Sequence, residues 1–472
     1  MYIRDLPGKG SGLFVAMRKR NYEMDMCSGA LLPKILLFSL PLMLSSILQL
    51  LFNAADVIVV GKFAGDTALA AVGSTGSVIN LLTNLFVGLS IGANVLVARY
   101  YASRDYDRLE DTIHTSVMVS LIGGVILVIV GLCFARPLLL LMGTPSDVID
   151  QAVLYMMIYF LGMPVMMLYN FGSAILRAVG DTRRPLYFLM IAGVLNVVLN
   201  LLFVIVFSWG VAGVAAATVL SQCVSTALIV RCLMKSDTMC RLEIKKLCVK
   251  KAALRDIARI GLPAGLQGCV FSLSNVLIQS SINSFGSTAM AGSTAAANIE
   301  GFVYVAMNSF YQAAVSFTSQ NMGGRRYGRI NRILLQCLFC AGLTGIILGI
   351  GAYLCGDVLL GLYTSDPQVI VYGMIRLSLV SSTYAFCGLM DVFCGILRGM
   401  GYGVMPMVVS LAGACGLRIL WICTVFQWSR TLETLYLCYA ISWIVTTLAH
   451  LTCFLVVRRR WPKKDQESPV FS

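Results

Sequence analysis

Two halves of this chain are one text read twice. The run Ile175-Leu176-Arg177-Ala178-Val179-Gly180, followed by Pro185, returns 221 residues later as Ile396-Leu397-Arg398-Gly399-Met400-Gly401, followed by Pro406. Arg104, Tyr106 and Arg108 return as Arg325, Tyr327 and Arg329, and Val148-Ile149 as Val369-Ile370. A register held over such distances means a duplicated unit with few insertions between the marks. Repeats of apolar helical units are a mark of secondary transporters.

The unit is built for lipid. Of 472 residues, 58% are hydrophobic and 12% charged, and the mean hydropathy is +0.83. A helix crossing a bilayer takes roughly 20 mostly apolar residues. Twelve runs qualify: 35–61, 75–98, 113–135, 151–176, 184–207, 211–233, 257–283, 296–320, 332–355, 368–397, 404–427 and 433–457. The runs are continuous rather than alternating, which makes them helices and not barrel strands. Six spans per repeat is an even number, so both repeats start on the same side. The expected fold is an all-α integral membrane protein with two six-helix bundles related by a pseudo-two-fold axis along the membrane normal. The domain reading is 1–233 for the first bundle, 234–256 for a basic linker and 257–472 for the second bundle with its basic tail.

The net charge of +14 is distributed as a topology signal. With the N-terminus inside, 31 of the 36 Lys and Arg residues fall on inner loops and termini, leaving Lys62, Arg136 and Arg430 outside and Arg376 and Arg418 within spans. That asymmetry places both termini in the cytoplasm, in a cytoplasmic (inner or plasma) membrane, and argues against a nucleic-acid partner. The 16 cysteines show no disulfide or zinc framework; Cys337 and Cys340 read as small apolar residues in a span. His114 and His450 are too scattered for a metal site. No Walker A pattern (G-x-x-x-x-G-K-[ST]) occurs, so transport is expected to run on an ion gradient or downhill, with no cofactor. A monomer is expected. Residues 1–16 differ from the rest, and Met17-Arg18-Lys19-Arg20 reads as an ordinary membrane-protein start.

Charged and amide groups inside spans are costly and therefore informative. Asp56, Glu300 and Asp391 are the acids inside the spans, with Glu433 only at the edge of the last. Gln49, Asn53 and Asp56 stand at i, i+4 and i+7 of the first span and share one face. Asn196 and Asn200 share a face of the fifth span, and Thr218 sits in the sixth. Counted from the outer rim, Asp56, Asn200 and Thr218 fall in one layer roughly 7–11 Å deep. One carboxylate, two amides and a hydroxyl suit a proton or a small hard cation; interhelical hydrogen bonding is the plainer alternative. The second half does not copy this set. At constant register Asn196 meets Leu417 and Asn200 meets Trp421, while Asn53 keeps a twin in Asn275. Glu300 is expected to pair with Arg376 and Arg418, or to contact substrate with Asp391, Asn275, Gln49 and Asn53. Arg177 and Arg398 end equivalent spans and read as headgroup or interbundle contacts. Pro41 and Pro263 permit a bend in equivalent helices.

The stretches LPLMLSSILQLLFNAADVIVVGKFAG, ILRAVGDTRRP, LNVVLNLLF and ILRGMGYGVMP resemble the multidrug and toxic compound extrusion (MATE) transporters, in the prokaryotic branch of the MOP flippase superfamily. The resemblance covers about 30–460. It implies a V-shaped pair of bundles and an antiporter in which Na⁺ or H⁺ enters as an organic, often cationic, compound leaves. It also implies a coupling-cation site made of Asp56, Asn196, Asn200 and Thr218. Asn200 stands where the family often has Asp, and the seventh span lacks the Glu of another branch. A lipid-linked precursor flippase of the same superfamily is the alternative; a channel or scaffold lacks a repeated pore-lining motif.

Overall fold

The computed structural model describes residues 22–236, 239–462 and 465, and among them contains helices and no strands. The Met17 start lies outside the described residues. The first bundle comprises α1 (Leu31–Phe63), α2 (Asp66–Ser103), α3 (Tyr106–Leu141), α4 (Ile149–Leu161), α5 (Met163–Ala178), α6 (Arg183–Leu201) and α7 (Gly210–Met234). The second comprises α8 (Lys251–Asn283), α9 (Ser287–Gly323), α10 (Ile330–Leu354), the short α11 (Gly356–Gly361), α12 (Pro367–Leu379), α13 (Tyr384–Gly399), α14 (Val404–Ser410), α15 (Leu417–Cys423), α16 (Val425–Trp428) and α17 (Leu432–Arg459).

Ten helical stretches are long and apolar enough to cross a membrane, and α4 with α5, bent by 50°, makes an eleventh. The twelfth is α9, whose 37 residues are rich in Ala, Ser, Asn and Gln. It packs against α1, α2, α10, α12 and α13, so protein rather than lipid surrounds it and strong hydropathy is unnecessary.

The repeated sequence marks are repeated backbone. Gly65 and Gly286, Arg104 and Arg325, and Gly180 and Gly401 all have positive φ, from 55° to 100°. Each ends or begins an equivalent helix. Asp181 N–H donates to Leu176 O (2.9 Å) and Tyr402 N–H to Leu397 O (3.0 Å), the same helix-terminating turn in both halves.

The bundles meet at the end that carries the basic loops. Gln320 Nε2 donates to Ala178 O (2.7 Å), Arg99 Nη2 to Gly399 O (3.3 Å) and Ser316 Oγ to Asn94 Oδ1 (3.2 Å). Residues 22–30 lie as a strap across this junction. Met24 N–H donates to Val179 O of the first bundle (3.1 Å), and Asn321 Nδ2 of the second donates to Met26 O (3.0 Å). Along the seam α2 and α8 touch backbone to backbone: a Cβ on Gly88 would lie 2.1 Å from Gly265 N. Among the described residues, hydrogen bonds between bundles along this seam end at Asn84–Ser272 (3.1 Å) and Cys269–Leu81 (3.3 Å). Helix α1 belongs to both sides. Near its start Phe38 meets Phe317 of α9 edge-on at 5.6 Å, and its later turns pack on α6.

The connection between bundles is pinned to α3. His114 Nε2 accepts from Glu243 N (3.1 Å), and Thr115 Oγ1 accepts from Lys250 N (3.1 Å). Helix α8 begins at Lys251, within the polar stretch 234–256, because Ala252-Ala253-Leu254 favours helix.

Candidate functional site

Asp56 and the three residues expected around it, Asn196, Asn200 and Thr218, are brought together. Asp56 is 8% exposed, Asn196 5% and Asn200 0%. Asn200 Nδ2 donates to Asp56 Oδ1 and, at 3.3 Å, to Asn196 Oδ1. Thr218 Oγ1 lies 3.4 Å from Asp56 Oδ2 and 3.4 Å from Asn196 Nδ2. Three helices supply the set, and a glycine sets their spacing. A Cβ on Gly193 would fall 1.8 Å from Phe52 Cε2, so this face of α6 must be bare for α1 to approach.

Asp56, Asn196 and Thr218 open on a cavity of about 220 Å³, lined also by Gln49, Asn53, Tyr159 and Gln222, with Asn200 buried behind them. Oxygen donors dominate it. Asn200 Oδ1 is buried without a hydrogen-bond partner, which leaves one acceptor unused beside the carboxylate. Thr218 has a single proton and two acceptors, since Val214 O lies 3.0 Å away. The hydroxyl therefore donates to a bare carboxylate, or turns to the helix backbone and presents a lone pair. Such a group serves two states of Asp56. Among the described residues no group of three or more His, Cys, Asp or Glu could hold a metal ion, so a cation here would rely on the single Asp56 carboxylate with amide and hydroxyl oxygens.

A larger cavity of about 500 Å³ lies in the second bundle and reaches α2 at Asn84 and Gly88. Asn275, the twin of Asn53, lines it, as do Asp391, Arg398, Arg418, Tyr439 and Trp443. Asp391 thus faces a cavity and makes no ion pair among the described residues. Glu300 does not line it. Its carboxylate takes three N–H contacts from Arg376, at 2.8, 3.1 and 3.3 Å, and both side chains are buried. The expected ion pair therefore forms with Arg376, and Arg418 is outside it. Arg398 is also not at a headgroup or between bundles. It is 5% exposed and donates to Tyr311 Oη (2.6 Å) and Gln267 Oε1 (2.8 Å), both of its own bundle. Only the helix end was visible in sequence, not the inward direction of the side chain.

The register of the two cavities differs for a local reason. Residues Leu411–Gly416 form a π turn, which takes one more residue than an α turn. The first bundle has its π turn later, at Leu202–Val206, beyond Asn200. Residues after Gly416 are therefore advanced by about one position around the helix. Arg418, not Leu417, takes the angular place of Asn196, and it is Arg418 that is buried against the cavity.

Comparison with known proteins agrees with this architecture. The family model described as MatE matches twice, at residues 41–202 and 263–423, once per repeat. The probable multidrug resistance protein YoeA of Bacillus subtilis is 27% identical over 394 residues, spanning 81% of this chain and 84% of that protein. The multidrug export protein MepA of Staphylococcus aureus is 21% identical over 386 residues, spanning 82% and 85%. A MATE family transporter of the MOP superfamily, solved in an outward-facing conformation, superposes with a TM-score of 0.85 at 23% identity, covering 92% of this chain and 97% of that one. A MOP superfamily transporter from Pyrococcus furiosus superposes at 0.86 with 24% identity over 92% and 97%. These structures share the fold of twelve transmembrane helices in two bundles. The chain is a multi-pass membrane protein that belongs to the MatE family, a secondary transporter and not an enzyme.

Proposed function

We propose that the protein is a cation-coupled antiporter that exports organic, cationic or amphiphilic compounds across the plasma membrane, working as a monomer with both termini in the cytoplasm. The observation that carries this reading is the hydrogen-bonded convergence of Asp56, Asn196, Asn200 and Thr218 beside one cavity of the first bundle, which Asp56, Asn196 and Thr218 line. Relatives named for multidrug resistance and multidrug export support the substrate class. The basic junction supports the orientation, because positive loops stay on the cytoplasmic side.

The geometry supports a sequence of events. Bare Asp56 grips Asn200 and Thr218 and ties α1 to α6 and α7. A proton or Na⁺ arriving from the side away from the basic junction competes for those oxygens and loosens that tie. Helix α1 continues past Pro41, where one helical hydrogen bond is missing, to its contact with α9. A change of grip at Asp56 therefore biases how the second bundle is held. A ligand shifts such an equilibrium only by binding the two states unequally. Here the unequal element is a carboxylate that needs its neighbours only when bare.

The test is transport in reconstituted vesicles with a Na⁺ gradient at fixed pH, or a pH gradient without Na⁺. Asp56→Asn is expected to abolish gradient-driven efflux while the protein remains folded by thermal unfolding. Normal efflux from a well-folded Asp56→Asn variant would end the proposal.

A further inference from the structure

The second bundle holds an imbalance. Arg376 and Arg418 are both buried in apolar surroundings, and one carboxylate, Glu300, is fully engaged by Arg376. Arg418 is 3% exposed. Its Nε donates to Ser442 Oγ (3.0 Å), and its guanidinium carbon sits 4.3 Å from the Tyr439 ring centre and 5.6 Å from that of Trp443. No carboxylate lies within ion-pair distance among the described residues, and its terminal nitrogens make no hydrogen bond there. Those nitrogens are not sealed off, for the residue lines the 500 Å³ cavity. An arginine at this depth without a counter-ion is expensive, and rings alone offset part of that cost. The missing partner must come through the cavity.

The rest of the lining says what kind of partner. Arg398 already has its protein acceptors in Tyr311 and Gln267. Asp391 has no hydrogen-bond donor among the described residues. Tyr384, Trp443 and Tyr439 form a connected aromatic wall, with ring centres 5.1 and 5.6 Å apart. The cavity thus offers the free terminal nitrogens of Arg418, the Asp391 carboxylate and flat apolar surface, while the Arg398 guanidinium that also lines it has its terminal nitrogens held by neutral acceptors. We propose that Arg418 receives the anionic group of the transported compound, so that this cavity selects aromatic zwitterions, with carboxylate on Arg418 and amine towards Asp391, over simple organic cations. A guanidinium with free terminal nitrogens meets a carboxylate by two parallel hydrogen bonds. The π turn at Leu411–Gly416 is what rotates Arg418 into position.

This inference rests on the export reading for its substrate, but its test is binding without any gradient, so the two fail separately. The probes are Nα-dansyl-lysine, a zwitterion with separated charges; its methyl ester, a cation; and its Nε-acetyl derivative, an anion. Binding to the purified full chain is followed by dansyl fluorescence. The zwitterion is expected to bind at least about tenfold tighter than either derivative, one ion pair's worth. Arg418→Gln should erase the preference over the methyl ester and leave the methyl ester's own affinity unchanged or improved. Asp391→Asn should erase the preference over the acetyl derivative. Arg418→Lys keeps the charge and should keep a reduced preference, which separates charge from folding damage. A methyl ester that binds the native protein as tightly as the zwitterion overturns the proposal. So does an Arg418→Gln protein that folds and retains the native preference.

Discussion

Glu300→Gln keeps shape and removes charge, and the structure sets what should follow. In the native bundle Arg376 gives Glu300 three N–H contacts within 3.3 Å, with Ser293 Oγ at 2.8 Å from the remaining nitrogen. Breaking one side of a buried pair costs about 3–5 kcal/mol, because the surviving charge stays buried. The glutamine oxygen still accepts one N–H, which returns about 1 kcal/mol. The rings of Tyr436 and Tyr439, 5.7 and 5.9 Å from the guanidinium carbon, are already present in the native state and add nothing new. The net expectation is a loss of about 2–4 kcal/mol, or roughly 5–15 °C in Tm for a domain the size of one bundle. Thermal unfolding in detergent measures it. The double variant Glu300→Gln with Arg376→Met removes both charges and should recover most of the loss. A single variant within about 0.5 kcal/mol of the native protein, or a double variant no better than the single, would refute the account of this pair as a closed unit.

The first-bundle site and the strap give the remaining predictions. Thr218→Ala should weaken coupling-cation binding about tenfold while Thr218→Ser retains it, since only a hydroxyl is required; a ²²Na⁺ or proton-uptake assay distinguishes them. Gly193→Ala forces a Cβ onto Phe52 and should cost about 1–3 kcal/mol by unfolding, while slowing coupled efflux by separating Asp56 from Asn200. Burial, with the Asp25 carboxylate second, pushes the Cys27 thiol up to about 12, so few thiolates are present near neutral pH. Site-resolved alkylation should find Cys27 slow, and Gln320→Ala, which removes the acceptor for Met26 N–H, should speed it by up to about a thousandfold as the thiol returns to its ordinary range.

Much of this was readable from the letters because lipid imposes simple arithmetic. Six spans per repeat, the depth of Asp56 and the faces of Asn196, Asn200 and Thr218 follow from a fixed rise and a fixed turn. Where the turn changes, the arithmetic fails. Leu417, rather than Arg418, reads in sequence as the counterpart of Asn196 because nothing in Leu411-Ala412-Gly413-Ala414-Cys415-Gly416 announces a wider turn, beyond its two glycines. Arg398 reads in sequence as a headgroup or interbundle contact because a position at a helix end does not say which way a long side chain runs. The strap at 22–30 has no periodicity to read. Its place depends on Gln320 and Asn321, nearly three hundred positions away in the chain. Helix α9 reads in sequence as one more apolar run, 296–320, while its polarity becomes intelligible only from its neighbours.

The bare contact between α2 and α8 has a mechanical consequence. Gly88, Gly92, Gly261 and Gly265 put main chain against main chain, where an added Cβ would stand 2.1 to 2.6 Å from its neighbour. Two smooth rods carry no teeth to disengage, so one can roll on the other without rotamers having to change. Each half of the molecule can then tilt as a lever about this common axle, while the knots that resist tilting lie near the strap. The same smoothness makes the axle unforgiving: a single methyl group there is a wedge that holds the levers apart.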